Sequence, residues 1–478
     1  MLDSTSFRTY AHQLVDWMAD YLESVEQYPV KSPAKPGEIL SQLPAFPPTQ
    51  SESMDQILDD FQSVVMPGIT HWQHPQFYAY FQANSSFPSL LAEMLTATLG
   101  TQAMIWETSP AAAEMEIRMM DWLKELCDLP RDWAGCIQPG ASEATLAAIL
   151  SARERVSQFQ INQHGFQGTD LKLRIYCSEQ THSSIEKAGR IAGIGSEGLA
   201  KIPVDGEYAM DPEALERQLI ADKESGWIPT CVTACIGTTG SHAIDPLRKI
   251  AEICQKHGVW LHVDAAHAGS AAIVPAYREI LDGLELADSY VFNPHKWMFT
   301  NFDCSAYFVK DPDALVNTFD IQPEYLRTRT QEVSNFKDWG VALGRRFRAL
   351  KLWFVIRSYG VEGLQSAIRN HIEIAQQVAG WIDEHPEFER LAPTPLNLVS
   401  FRYHPQGTDD PAILNELNKR LNHSLNDTGK LYLTHTNLDG AYTLRLSIGQ
   451  TNVTLQHLES AWALIQAHAK TTMFDLSE

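Results

Sequence analysis

Apolar residues near the amino terminus recur at steps of three and four residues. They are Phe7, Tyr10, Leu14, Trp17, Met18 and Tyr21. This spacing predicts an amphipathic helix with Ser4, Thr5 or Ser6 as its N-cap. The apolar stripe has to be covered, either by the rest of the chain or by another subunit. Directly after it, the prolines between positions 29 and 48 stop a helix and predict an extended connector.

The middle of the chain alternates short, continuously apolar segments with segments of helical character. A helix is predicted at 183–191, and the Asp-Pro pairs at 211–212 and 245–246 each predict an N-cap followed by a proline at the first helical position. Strands that are apolar on both faces and alternate with helices favour a mainly parallel sheet covered on both sides. The predicted strands are 171–177, 228–236, 259–263, 289–292 and 305–309.

The pattern changes after about residue 365. A helix at 364–384 is followed by a partly alternating strand at 396–403, another helix, and strands at 431–436 and 442–448. Alternation of apolar and polar residues predicts an antiparallel sheet with one exposed face. We therefore expect an α/β protein with three parts, which are a helical segment (1–85), a large domain (86–365) and a small α+β domain (366–478).

Composition narrows the classes of function. The 478 residues carry a net charge of −22, which opposes binding to nucleic acid or to anionic lipid. No run of eighteen apolar residues predicts a membrane span, and the amino terminus does not resemble a signal peptide. The seven cysteines are scattered without the spacing of metal ligands, so we expect free thiols in a reducing cytoplasm.

Polar side chains follow the predicted strands of the large domain. Because the carboxyl ends of parallel strands meet at one edge of a sheet, we expect these side chains to converge there. Lysine, histidine and aspartate follow separate strands, together with small hydroxyl and amide residues. They are His182 after 171–177, Thr238 after 228–236, Asp264 after 259–263, and Asn293, His295 and Lys296 after 289–292.

This combination of side chains has a specific chemical meaning. A lysine amine can form a Schiff base with an aldehyde cofactor, and a carboxylate can keep a pyridine nitrogen protonated so that the ring becomes an electron sink. A histidine can stack on such a ring, and amides at a helix N-terminus can hold a phosphate. Each residue alone has an ordinary explanation, since lysine is usually exposed and aspartate often caps a helix. Their occurrence at consecutive strand ends supports the functional interpretation.

The motifs around these residues closely resemble the group II pyridoxal-phosphate decarboxylases, specifically the aromatic-L-amino-acid decarboxylases. The motifs are Asn293-Pro294-His295-Lys296-Trp297, the run from His262 to Ser270, and Thr181-His182-Ser183-Ser184. The likeness extends to 74–81, 109–111, 138–145 and 343–348 and so covers nearly the whole chain. It implies an aspartate-aminotransferase-like large domain (fold type I). It also implies a homodimer with active sites at the subunit interface, in which the amino-terminal segment wraps the partner subunit.

The resemblance also implies roles for individual residues in binding pyridoxal 5′-phosphate. Lys296 would bind the cofactor covalently, Asp264 would pair with the pyridinium nitrogen, and His182 would stack on the ring close to the substrate carboxylate. The remaining positions would contact the cofactor. They are Ala141, Ser142, Asn293 and His295 for the phosphate, and Thr238 at the end of its strand.

For the reaction itself, the resemblance implies that Tyr325 protonates Cα after carbon dioxide has left. Relatives that form aldehydes oxidatively have phenylalanine at this position, so the tyrosine favours decarboxylation to an amine. Trp72, Tyr80 and Phe81 match positions of the substrate pocket, and Met104 matches one that the opposite subunit contributes. Aromatic walls suit an aromatic side chain.

We therefore expect decarboxylation of tryptophan, tyrosine, phenylalanine or dihydroxyphenylalanine to the amine. An aldehyde synthase, an aminotransferase, or a decarboxylase of histidine or of an acidic amino acid remain alternatives. Ala83 lacks the hydroxyl with which the threonine of animal relatives helps to bind a catechol. A metal hydrolase built on His71 and His74, or on His262, Asp264 and His267, is disfavoured. Pro75 argues against a helix that would join His71 and His74, and no third ligand has a suitable spacing. No metal is expected.

Overall fold

The structure is a computed structural model that describes residues 2–321 and 333–474. The chain divides into two compact units. The first comprises Met1–Gln82, Gly380–Glu389 and Phe401–Glu478, and the second comprises Ala83–Ala379 and Arg390–Ser400. Within the described ranges, no helix is both long enough and apolar enough to cross a lipid bilayer.

The described segments contain the following α-helices in chain order. They are α1 Ser4–Glu23, α2 Glu38–Gln42, α3 Met54–Asp60, α4 Phe87–Leu99, α5 Pro110–Cys127, α6 Ala141–Ser157, α7 Gln160–His164, α8 Ser184–Ile191, α9 Pro212–Glu224, α10 Leu247–His257, α11 Pro294–Trp297, α12 Pro312–Phe319, α13 Arg348–Glu384, α14 Pro411–Asp427 and α15 Leu455–Phe474. Short 3₁₀ segments connect several of them.

The second unit contains a seven-stranded sheet. Its strands are β1 Ala134–Gln138, β2 Leu173–Ser178, β3 Leu199–Ile202, β4 Ile228–Cys235, β5 Trp260–Asp264, β6 Ser289–Phe292 and β7 Ser305–Val309, in the spatial order β1-β7-β6-β5-β4-β2-β3. The pairs from β6 through β5, β4 and β2 to β3 are parallel, whereas β7 runs antiparallel to both β6 and β1. Strand β1 therefore has the same direction as β6. The mainly parallel sheet that the sequence predicts is confirmed.

Burial explains why the strands of this sheet are continuously apolar. Every residue of β5, β6 and β7 is buried, so both faces of these strands are covered. The bounds predicted for β6 and β7 agree with the structure, and those of β4 and β5 differ by one residue at one or both ends.

A second sheet has four strands, β8 Phe388–Arg390, β9 Leu398–Tyr403, β10 Thr434–Leu438 and β11 Ala441–Ser447, in the order β10-β11-β9-β8. Strands β10 and β11 form an antiparallel hairpin in which Thr434 is opposite Arg445. Less and more exposed residues alternate along β10, as expected for a sheet with one exposed face. The predicted helix at 364–384 is the second part of α13, which begins at Arg348 and is interrupted at Gly360 (φ 65°, ψ 171°).

Two of the predicted helix caps are wrong. The N-cap of α1 is Asp3, whose carboxylate accepts the N–H of Ser6 at 2.7 Å. Asp211 caps α9 as predicted, but Asp245 does not cap α10. Its buried carboxylate instead accepts the N–H groups of Cys235 (2.7 Å) and Met210 (2.8 Å), and burial raises the pKa of Asp245 to about 7. The carboxylate of Asp245 thus binds backbone N–H groups of strand β4 and of the segment before α9, and not the first N–H groups of α10.

Candidate active site

One edge of the large sheet collects the carboxyl ends of β1, β2, β4, β5 and β6. These strands share one direction, and the register places Asp264 opposite Cys235 on β4 and Val291 on β6. The side chains predicted to bind the cofactor lie at these strand ends or within four residues of them. The structure therefore brings together at one sheet edge His182, Thr238, Asp264, Asn293, His295, Lys296, Ala141 and Ser142.

Lys296 lies on the single turn of helix α11, directly after β6. The Lys296 N–H donates to the carbonyl of Asn293 at 2.8 Å. A helix this short cannot satisfy its own last carbonyls. Asn84 supplies the missing donors, since its side-chain amide donates to the carbonyl of Lys296 (2.6 Å) and its backbone N–H to that of His295 (3.1 Å). Asn84 therefore holds the backbone that carries the lysine through two hydrogen bonds.

Asp264 is the last residue of β5 and is 8% exposed. One of its carboxylate oxygens accepts the N–H of Ala266 at 3.0 Å. His182 follows β2, and its Nδ1 lies 2.9 Å from the hydroxyl of Ser184. Desolvation lowers the pKa of His182, the charge of Asp264 opposes this shift and the charge of Lys296 adds to it. The imidazole, the carboxylate and the amine are thus close enough to influence one another, and the lowered pKa favours a neutral imidazole.

The turn from β1 into α6 offers amide groups to an anion. Gly140 is the N-cap of α6, and no side chain caps this end of the helix. The first N–H groups of an α-helix have no partner within the helix, and together with the helix dipole they favour a bound phosphate. The residues at these first positions are Ala141 and Ser142, as the resemblance implies.

Two further side chains at this edge are oriented as hydrogen-bond donors. The Asn293 Oδ1 accepts the hydroxyl of Ser305 (2.7 Å), which leaves the NH₂ group of this amide to donate elsewhere. The Nδ1 of His295 accepts the N–H of Cys304 at 2.8 Å, so the proton of the neutral ring is on Nε2. Burial lowers the pKa of His295 to about 3, and the ring is therefore neutral at physiological pH.

Thr238 is buried in the tight turn after β4. Its hydroxyl accepts the N–H of Ala243 (3.1 Å) and lies 2.9 Å from the hydroxyl of Ser241. These contacts fix the turn, so the Thr238 side chain has a structural partner in addition to its predicted contact with the cofactor.

The donor set at this edge fits pyridoxal phosphate. A phosphorylated pyridine aldehyde needs an amine for its aldehyde, an anion for its ring nitrogen, a flat group for its face and N–H donors for its phosphate. Lys296, Asp264, His182 and the first turn of α6 provide these four groups within one unit.

The residues predicted to bind substrate belong to different parts of the chain. In the first unit, the rings of Trp72 and Tyr80 are stacked at 5.8 Å, and the Tyr80 hydroxyl lies 3.3 Å from that of Tyr432. Phe81 is buried with the guanidinium of Arg445 5.4 Å from its ring centre. Met104 belongs to the second unit. Tyr325 lies outside the described residues.

Sequence patterns gave no indication of two residues that support this site. Asn84 lies in an irregular segment before α4, and Ser305 is the first residue of a buried strand. Both act through contacts with residues more than ten positions away in the sequence, and neither belongs to a motif with known spacing. Only the tertiary structure shows that they hold Lys296 and Asn293.

The histidines considered as metal ligands have other partners. His262 lies between the hydroxyls of Thr145 (3.3 Å) and Ser289 (2.9 Å), and burial lowers its pKa to about 4. His71 lies 2.8 Å from the hydroxyl of Tyr21. Within 2–321 and 333–474, no group of three or more histidines, cysteines or acidic residues is arranged to hold a metal ion.

Residues 36–404 match the pyridoxal-dependent decarboxylase conserved domain, and the chain belongs to this family. It is a carboxy-lyase that uses pyridoxal phosphate and has fold type I, as the resemblance implied. The chain is 42% identical to phenylacetaldehyde synthase of Arabidopsis thaliana (98% of this chain, 96% of the relative). It is 40% identical to tyrosine decarboxylase 3 of Petroselinum crispum (99% and 94%).

Solved structures agree with this assignment. The crystal structure of Oryza sativa TDC with PLP and tryptamine has a TM-score of 0.94 at 36% identity and covers 99% of both chains. The crystal structure of Catharanthus roseus tryptophan decarboxylase in complex with L-tryptophan has a TM-score of 0.92 at 38% identity (98% of this chain, 99% of that chain).

Proposed function

We propose that this enzyme decarboxylates an aromatic L-amino acid to the corresponding amine and carbon dioxide. The candidates are tryptophan, tyrosine, phenylalanine and dihydroxyphenylalanine. The observation that carries the proposal is the convergence of Lys296, Asp264 and His182 at one sheet edge. The relatives named as tyrosine and tryptophan decarboxylases support the aromatic class of substrate.

In this proposal the residues of the edge bind and orient the cofactor. Lys296 holds it through the ε-amine, the Asp264 carboxylate keeps its ring nitrogen protonated, and the phosphate lies against Ala141, Ser142, Asn293 and His295. Thr238 contacts the cofactor. When bound, pyridoxal phosphate supplies an electron sink for the electron pair that remains at Cα when carbon dioxide leaves.

His182 and Tyr325 act on the substrate in this proposal. The neutral imidazole of His182 stacks over the ring and lies beside the substrate carboxylate, where it adds no positive charge that would favour retention of the carboxylate. Tyr325 donates its phenolic proton to Cα. Trp72, Tyr80 and Phe81 line the aromatic side chain, and Met104 of the opposite subunit completes the pocket.

We further propose a cytoplasmic homodimer with its active sites at the subunit interface. Helix α1 has no buried residue, and its Phe7 side chain is 62% exposed, which leaves apolar surface for a partner subunit. The division into a segment that wraps the partner (1–85), a large domain (86–365) and a small domain (366–478) belongs to the same proposal. The free and buried state of all seven cysteines suits a reducing compartment.

An aromatic aldehyde synthase is the second candidate, because a phenylacetaldehyde synthase is 42% identical to the chain. The tyrosine at position 325 favours the amine instead. The deciding experiment incubates the holoenzyme with each aromatic amino acid, and with histidine and glutamate as controls, and measures amine, aldehyde, carbon dioxide and peroxide. Amine without peroxide supports the proposal, whereas aldehyde with equimolar peroxide establishes the synthase.

A further inference from the structure

Strand β1 ends the large sheet, and a pair of charged side chains occupies its open side. Strand β7 pairs with one side of β1. On the other side, the carboxylate of Glu116 accepts the N–H of Ile137 at 2.8 Å, and the guanidinium of Arg345 donates to the carbonyl of Ile137 at 3.0 Å. Arg345 also donates to Glu116. Two side chains thus provide the donor and the acceptor that a neighbouring strand would provide.

This arrangement is buried, which makes its loss costly. Glu116 is 2% exposed and Arg345 is 5% exposed. A buried strand edge needs partners for its N–H and C=O groups, and a buried charge needs a partner of opposite sign. Each side chain of the pair therefore provides an opposite charge for the other and a hydrogen bond for one backbone group of Ile137 in β1.

The clamped residue lies just before the turn that we assign to the cofactor phosphate. Ile137 is followed by Gln138, Pro139 and Gly140, and α6 begins at Ala141. Gln138 is anchored as well, since its side-chain amide donates to the carbonyl of Trp339 at 2.7 Å. The position of the first amides of α6 thus depends on how the last residues of β1 are held.

We propose that Arg345 and Glu116 are positioning residues for the cofactor phosphate, because they fix the end of β1 from which the phosphate turn starts. The inference rests on the proposed roles of Ala141 and Ser142. One terminal nitrogen of the guanidinium, Nη2, donates both to the carboxylate of Glu116 and to the carbonyl of Ile137. A lysine would keep the charge, but its shorter side chain would place the ammonium group farther from both acceptors.

The same sheet offers a matched control. Arg174, near the amino end of β2, pairs with Asp222 at 3.1 Å, and its guanidinium lies 4.6 Å from the ring of Trp227. This pair is also largely buried and involves a strand residue. It belongs to the edge of the sheet opposite to the strand ends that hold the cofactor residues, so its loss should affect stability alone.

The test measures the dissociation constant of pyridoxal phosphate by titrating the full-length apoprotein and following protein fluorescence. Arg345→Met is expected to raise this constant about tenfold or more, and Arg345→Lys to raise it less. Arg174→Met is expected to lower the melting temperature and bind the cofactor like the wild type. The double variant Glu116→Leu/Arg345→Met removes both buried charges, so it should melt at a higher temperature than Arg345→Met and still bind weakly.

Two results would overturn the inference. One is wild-type affinity for pyridoxal phosphate in the double variant. If Arg345→Met fails to fold, the double variant takes its place in the test. The other is an equal loss of affinity in Arg174→Met, which would mean that cofactor binding merely follows stability. Failure of the proposed function gives a different result, because the wild-type protein would then bind pyridoxal phosphate but release no amine from any aromatic amino acid, and the comparison of cofactor affinities among the variants would be unaffected.

Discussion

The hydrogen bond from Asn84 to the backbone of Lys296 gives a sharp prediction. Asn84→Ala removes the side-chain amide that donates to the carbonyl of Lys296 at 2.6 Å. Asn84 is 1% exposed, so water does not readily replace the amide. An unsatisfied buried carbonyl costs about 1–3 kcal/mol, and we expect the free energy of unfolding of the apoprotein to fall by that amount.

The effect on activity should exceed what this loss of stability explains. The bond fixes the turn of α11 that carries the lysine, and a displacement of about 1 Å in a reacting group can cost about 100-fold in rate. We therefore expect kcat to fall by one to two orders of magnitude, at cofactor concentrations that saturate the variant. The assays are urea unfolding of the apoprotein and steady-state release of carbon dioxide by the holoenzyme.

Asn418 provides a matched control for this prediction. It is fully buried, and its side-chain amide donates to the carbonyl of Tyr403 at 2.8 Å, within the first unit, whereas Lys296 belongs to the second. Asn418→Ala should lose stability and keep its kcat. A wild-type kcat in Asn84→Ala, or an equal decrease in both variants, would refute the positioning role of Asn84.

Two further predictions concern proton transfer and acid stability. Tyr325→Phe should lower the rate of amine release about 100-fold or more and increase the yield of aldehyde and peroxide. Chromatography measures the amine and the aldehyde, and a peroxide assay measures the peroxide. An unchanged rate of amine release would remove Tyr325 from the mechanism. Burial lowers the pKa of His262 to about 4 and that of His295 to about 3, so both side chains remain neutral in the folded protein. In the unfolded chain the same two histidines take up protons below about pH 6.5. The contribution of each histidine to stability should be complete above pH 6.5 and fall by about 1.4 kcal/mol per pH unit as the pH decreases toward 4. Urea unfolding between pH 7.5 and 5 tests this, and a His262→Gln variant with an unchanged pH dependence would contradict it.

The sequence predicts the functional edge of the sheet because strand ends and motif residues are local features. Continuous apolar runs locate β6 and β7, and Asn293, His295 and Lys296 follow within four residues of β6. Once parallel strands are inferred, the convergence of these side chains follows from the direction of the strands alone.

Residues that act across the fold could not be predicted in the same way. Glu116 lies on α5, and Arg345 lies in the irregular segment before α13. Both contact Ile137, from which Glu116 is 21 residues away in the sequence and Arg345 is 208 residues away. Asp245 shows the opposite error, because its local sequence is that of a helix cap while tertiary contacts with Cys235 and Met210 determine its role. A tertiary hydrogen bond to a buried backbone group can override the local preference of a residue such as aspartate for a helix cap.

In the proposed mechanism, Lys296 binds pyridoxal phosphate through its ε-amine, and every other residue role depends on this bond. The most direct measurement is reduction of the yellow holoenzyme with borohydride, followed by proteolysis and mass spectrometry of the labelled peptide, with Lys296→Ala as the control. We expect a phosphopyridoxyl group on Lys296 alone and no label in the variant. A label on another lysine, or a wild-type protein that stays colourless and unlabelled after the cofactor is added, would contradict it.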